Sequence, residues 1–155
     1  MSDSRIAWAP VPIRLVLAIG FLIHGWPKVF TVAGNQQFQG MLQGIGVPMP
    51  GLMSYVTGGF EVLGGLALLL GFWASLASIP LIIINLVAMF TVHLPNGFSF
   101  IHVTGMGENG PIFGMPGYEV NLLYIGGLLV VALMGPGAMS LRPGKREIRD
   151  RSATL

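Results

Sequence analysis

Long neutral runs, broken by isolated charges, set the pattern of this chain. No Asp, Glu, Lys or Arg occurs from Val29 to Phe60, from Val62 to Gly107, or from Val120 to Leu141. Crossing a bilayer core takes about 20 apolar residues in a helix. Four segments meet that need, at roughly 12–33, 51–74, 75–94 and 118–134. Pro48 and Pro50 stand just before the second, where proline is compatible with a helix start. Gly135-Pro136-Gly137 stops the fourth. The expected fold is an all-α membrane protein, a four-transmembrane-helix bundle in a single membrane domain over residues 1–155.

The connections differ in kind. A tight turn near Trp73 to Ser78 joins the second and third spans. The other two connections are long. Gly34 to Pro50 carries Gln36, Gln37, Gln39 and Gln43, and Pro95 to Gly117 carries six Gly, three Pro and one charge, Glu108. Both read as loops, of a length that is often functional or re-entrant. Neither holds a Lys or Arg, whereas Arg5, Arg14, Arg142, Lys145, Arg146, Arg149 and Arg151 lie toward the termini. By the positive-inside bias both termini are cytoplasmic and both long loops lie outside. Residues 142–155 then form a basic cytoplasmic tail suited to anionic lipid. A cleaved signal peptide is disfavoured, because His24 and Lys28 interrupt the path from the apolar run Leu15 to Ile23 to the weak site at Thr31-Val32-Ala33.

Composition narrows the function. Of 155 residues, 53% are hydrophobic and 9% charged, and the mean hydropathy is +0.74. Soluble domains carry about 25% charged residues, so a soluble globular enzyme is excluded. No Cys is present, which removes thiol catalysis, disulfides, and Cys-ligated zinc or iron–sulfur clusters. Five of the eight basic residues follow position 141. The basic balance is therefore a tail effect, and nucleic acid is not an expected partner. No nucleotide-binding glycine pattern occurs, since Gly105-Met106-Gly107 lacks the flanking strand and helix. No metal site is expected.

The ionisable residues inside the spans carry the chemistry. Each costs about 2.5–3.5 kcal/mol on insertion scales and needs a reason to be there. His24 and Lys28 share one face of the first span, being four apart. At 1.5 Å per residue, His24 and Glu61 both fall about 15 Å from their respective ends, near mid-membrane. His93 comes close to the level of Lys28, and Glu119 lies at the outer edge. Gly58 and Gly65 share the face of Glu61, which points that carboxylate into the bundle. Glu61 is expected to pair with Lys28 or His24. The chemistry such a set can perform is proton exchange at a site open to the outer face. A quinone headgroup fits it, needing a donor, an acceptor and apolar walls. The competing structural account is a buried ion pair that fixes helix register, with His24 and His93 as hydrogen-bonded packing residues. His102 and Glu108 are loop residues with no expected catalytic part.

The assembled motifs resemble the DoxX family of small four-span bacterial membrane proteins. They are Arg14, Gly20-Phe21, His24-Gly25-Trp26-Pro27-Lys28, Phe38, Gly46-Val47-Pro48, Glu61-Val62-Leu63-Gly64-Gly65 and Leu70-Gly71. Phe90-Thr91-Val92-His93, Asn96-Gly97-Phe98, Gly117-Tyr118-Glu119 and Gly135-Pro136-Gly137-Ala138-Met139-Ser140-Leu141 complete the series. Arg142 departs from the pattern, standing where such proteins often carry Asp. The resemblance implies a bacterial inner-membrane protein that serves soluble or membrane redox partners, with electrons passing to quinone. Such partners resemble thiosulfate:quinone oxidoreductase, sulfurtransferase with superoxide dismutase, or aromatic-ring dioxygenases. On that basis the candidate catalytic residues are Glu61, His24, Lys28 and His93. The candidate headgroup contacts are His24, Trp26, Lys28, Glu61 and Glu119. Lipid, quinone, a redox enzyme and a second copy of the chain are the expected partners. Three alternatives stand beside it: a non-catalytic anchor or assembly factor docking through the outer loops, a b-type haem protein using His24 and His93, and a small transporter working as a dimer.

Overall fold

A computed structural model describes residues 3–141 of the chain. The basic tail expected at 142–155 lies outside the described residues. The protein is mostly helical. A short helix α1 (Asp3–Trp8) leads into α2 (Pro10–Phe30), followed by α3 (Val32–Gly44), α4 (Pro50–Leu70) and α5 (Ala74–Ala88). A π-helical turn (Met89–His93) and a 3₁₀ turn (Leu94–Asn96) continue α5. A β-hairpin, β1 (Val103–Gly107) and β2 (Gly110–Phe113), precedes α6 (Glu119–Met134). Three stretches are long and apolar enough to cross a membrane: Ile6–Phe30, Pro50–Leu70 and Ala74–Asn96. The fourth apolar helix, Glu119–Met134, is shorter.

The first expected span ends early, and the cause is local. Thr31 leaves the helical region (φ −123°, ψ 136°) and caps a new helix, its hydroxyl accepting from Gly34 N at 3.1 Å. The segment expected as a loop is thus largely the helix α3. Phe38, Met41, Leu42 and Ile45 recur at helical spacing, and Leu42 is buried. The second expected span also stops early, at Leu70. Gly71 there adopts φ +68°, opening the tight turn to α5. In the other long connection, Glu108-Asn109 turns an antiparallel hairpin with Gly107 opposite Gly110. Gly110 takes φ +114°, which a side chain would oppose.

Side-chain packing divides the molecule along its length. Leu17, Ala18, Phe21, Leu68, Ala74, Leu81, Leu128 and Val131 form one hydrophobic cluster, at the end where the described termini meet. A buried arginine closes that end. Arg14, 1% exposed, donates to Pro136 O at 2.8 Å and Met139 O at 3.2 Å. Ala138 N donates to Ala7 O, and Leu141 N to Leu70 O. The chain after α6 is thereby tied to the start of α2 and the end of α4.

Glycines set the α2–α4 contact. A Cβ at Gly25 would lie 2.8 Å from Cβ of Glu61 and 2.9 Å from Val62 N. One at Gly58 would lie 2.8 Å from Cβ of Lys28, and one at Gly65 would lie 2.9 Å from Cγ of Leu22. Three small residues therefore let the two backbones approach, as is common between membrane helices. This closeness brings Lys28 within reach of Glu61.

Candidate functional site

At the end opposite the hydrophobic cluster, the helices diverge around a cavity of about 400 Å³. α2 contributes His24 and Lys28, α4 contributes Glu61, and the π-helical turn contributes His93. Four of the six residues singled out by the sequence thus line one space. Phe38 and Met41 of α3, with Phe100, Met115 and Pro116 of the segments flanking the hairpin, line it as well.

Glu61 meets Lys28 and not His24. Lys28 Nζ donates to Oε1 at 2.7 Å and to Oε2 at 2.6 Å. The side chains are 15% and 6% exposed, so the pair is largely removed from solvent. The Phe38 ring lies 4.1 Å from the same ammonium, a cation–π contact. A polar network holds α3 in place for this. Asn35 donates to Lys28 O at 2.5 Å and to Ser54 Oγ at 2.9 Å, and it accepts from Gln39. His93 is oriented by the chain above it. Its Nδ1–H donates to Pro116 O at 2.9 Å, because a carbonyl only accepts. In the neutral ring, Nε2 then carries the lone pair.

Trp26 and Glu119 are placed elsewhere. Trp26 is exposed and packs against Phe30, ring centroids 4.3 Å apart, on the outward face of α2. Glu119 accepts from Phe100 N at 2.9 Å and fastens the segment before the hairpin to the start of α6. The loop residues His102 and Glu108 are also outside the cavity; His102 Nδ1 donates to Met115 O at 2.9 Å.

Three cavity residues are not among those singled out from the sequence. Asn85, Asn121 and Tyr124 line the wall formed by α5 and α6. Asn85 and Asn121 are 9% and 8% exposed. The signal was available: uncharged amides stand alone within otherwise apolar spans. Phe38 was quoted as part of a motif, but its contact with Lys28 depends on α3 being a helix.

Apolar helices, three of them long enough to cross a membrane, around a partly enclosed and mainly apolar cavity define a membrane protein. The sequence profile of the DoxX family matches residues 9–94, and the chain belongs to that family. Two relatives from Escherichia coli (strain K12) extend the likeness. Inner membrane protein YqjF is 34% identical over 128 residues, 83% of this chain and 85% of the relative. Inner membrane protein YphA is 28% identical over 130 residues, 83% of this chain and 84% of the relative. No solved structure matches. The chain is a multi-pass inner-membrane protein in contact with lipid. His24, Lys28, Glu61 and His93 all fall inside the family-matched stretch, whereas α6 lies beyond it.

Proposed function

We propose that this protein is the membrane subunit of a quinone-linked oxidoreductase system, with the cavity as the seat of the quinone headgroup. In this reading α6 is the fourth span, α2, α4, α5 and α6 form a bundle in one membrane domain, and both termini lie in the cytoplasm. The cavity then faces the outer side. The observation that carries the reading is the Lys28–Glu61 ion pair on the wall of a chamber of about 400 Å³. An ion pair inside a bilayer costs desolvation that its own attraction scarcely offsets. Helix packing alone does not require one beside an empty space. Conversion of a quinone to a quinol takes up two electrons and two protons. A partner oxidoreductase supplies the electrons, and Glu61, His24 and His93 are the groups suited to pass the protons.

A second reading, an anchor or assembly factor for a redox enzyme, is favoured by a specific feature. Lys28 spends its donors on both oxygens of Glu61 and faces Phe38, so the pair satisfies itself. The hairpin also presents Met106, Ile112 and Phe113 outward.

Native mass spectrometry of the protein, extracted in mild detergent from its host membranes, separates the two. Retained mass matching a quinone, lost in Glu61→Gln, supports the redox subunit. Bare protein, under conditions that keep other quinone proteins loaded, overturns it in favour of the anchor. Visible absorption of the same sample tests the haem alternative, since a colourless preparation excludes His24 and His93 as axial ligands.

A further inference from the structure

We infer that the α5–α6 wall hydrogen-bonds the ligand, with Asn121 and Tyr124 holding an oxygen at one end of a ring that carries oxygens at both ends. This rests on the reading of the cavity as a quinone site. The polar groups on the two walls of the cavity are not spent equally. Lys28 and Glu61 are occupied with each other at 2.6–2.7 Å, and a ligand would have to break that pair to bond it. The opposite wall is different. Asn85 uses its amide N–H on Leu81 O of its own helix, which leaves its carbonyl oxygen. Among the described residues, the Asn121 amide and the Tyr124 hydroxyl form no hydrogen bond, yet both residues line the cavity. They are not sealed in: among those residues the one enclosed polar atom without a partner is Arg14 Nε, at the far end of the molecule. Asn121, more than nine-tenths buried, thus lines the chamber with its amide unpartnered among the described residues.

An amide and a hydroxyl that stay open to the chamber without a protein partner are free to hydrogen-bond a ligand oxygen. Asn121 and Tyr124 are three apart on α6 and share a face. Tyr124 is fixed by an edge-on contact with Phe21, centroids 5.4 Å apart. Its hydroxyl lies against Gly20, where a side chain would displace it. Amide N–H and phenol O–H both donate to a carbonyl, and both groups accept from a hydroxyl once it is reduced. The same wall therefore serves quinone and quinol. His93, whose Nε2 accepts, faces the same chamber and suits a ligand hydroxyl.

The test uses the full chain in lipid nanodiscs and two probes followed by calorimetry. One is a short-tailed para-benzoquinone, and the other is a ring with the same tail and no oxygen. Asn121→Leu and Tyr124→Phe are each expected to weaken quinone binding about fivefold to tenfold, the worth of one hydrogen bond. The oxygen-free probe is expected to bind wild type and variants alike. Unchanged quinone affinity in both variants overturns the inference and leaves the quinone reading standing. An equal loss for both probes also overturns it, since that marks a packing defect. A wild type that binds neither probe overturns the quinone reading and the inference with it. Tyr124→Phe keeps the ring against Phe21, so it decides the matter even where Asn121→Leu fails to fold.

Discussion

A lysine and a glutamate that meet away from water are tolerable as a pair and costly apart. Lys28→Met or Glu61→Leu leaves one charge without its partner in a site where the two side chains are 15% and 6% exposed. Each single change is expected to lower stability by about 3–5 kcal/mol. The double replacement should recover most of that loss, as measured by unfolding in mild detergent. Losses that simply add would show that the two groups do not depend on each other. The pairing itself was legible in the sequence as a choice of two, because helical spacing put Lys28 and His24 on one face, His24 level with Glu61 and Lys28 about one turn above it. The choice between Lys28 and His24 was not legible. It depends on the approach of α2 to α4 at Gly25 and Gly58, and on α3 delivering Phe38 to the ammonium.

Elements add a second kind of evidence. At the α2–α4 contact, Gly25→Ala places a methyl group 2.8 Å from Cβ of Glu61. Overpacking of this kind typically costs about 1–3 kcal/mol. Gly59→Ala is the control, since nothing lies within 4 Å of its Cβ position. A lowered melting temperature for the first and an unchanged or raised one for the second is the expected pair of results. The other element to probe is α3. Asn35→Ala removes the donors to Lys28 O and Ser54 Oγ and is expected to cost about 1–3 kcal/mol. Faster hydrogen exchange across Val32–Gly44, with α4 unaffected beyond its first turns, would locate the loss in α3. This helix and the hairpin were the elements that apolar run length did not reveal. Run length finds spans, whereas α3 is half polar and the hairpin is glycine-rich. Their signals were narrower: the spacing of Phe38, Met41, Leu42 and Ile45, and the Asn109-Gly110 pair where the hairpin turns into β2.

At the scale of the whole molecule, exposed apolar side chains cover the outer faces of the helices, among them Val16, Ile19 and Ile23 on α2. Lipid is their natural solvent. The proposed orientation can be read without engineering a background, because the chain has no Cys. Glu108→Cys is expected to react with a membrane-impermeant maleimide in intact spheroplasts. Ser2→Cys and Ser152→Cys are expected to react only after lysis. Labelling of all three from outside would contradict three spans before Glu108 and one after it. The apolar helices were legible from charge-free run lengths. The division into a packed half and a hollow half was not, since it depends on which side chains meet across helices.

The arginine at the packed end ties the first helix to the last residues described. Its acceptors, Pro136 O and Met139 O, are 122 and 125 positions away in the chain. A ribosome therefore delivers the charge long before it delivers the groups that receive it. Throughout synthesis of the intervening helices, Arg14, near the cytoplasmic end of α2 in the proposed orientation, lacks those acceptors and leans on water and lipid headgroups. Only the emergence of the segment after α6 supplies them. A chain stopped at Gly135 is expected to insert and then to be cleared faster than the full-length protein in a pulse–chase measurement. That outcome would make α2 a check on whether the segment after α6 has been made, read through a guanidinium whose partners only that segment brings.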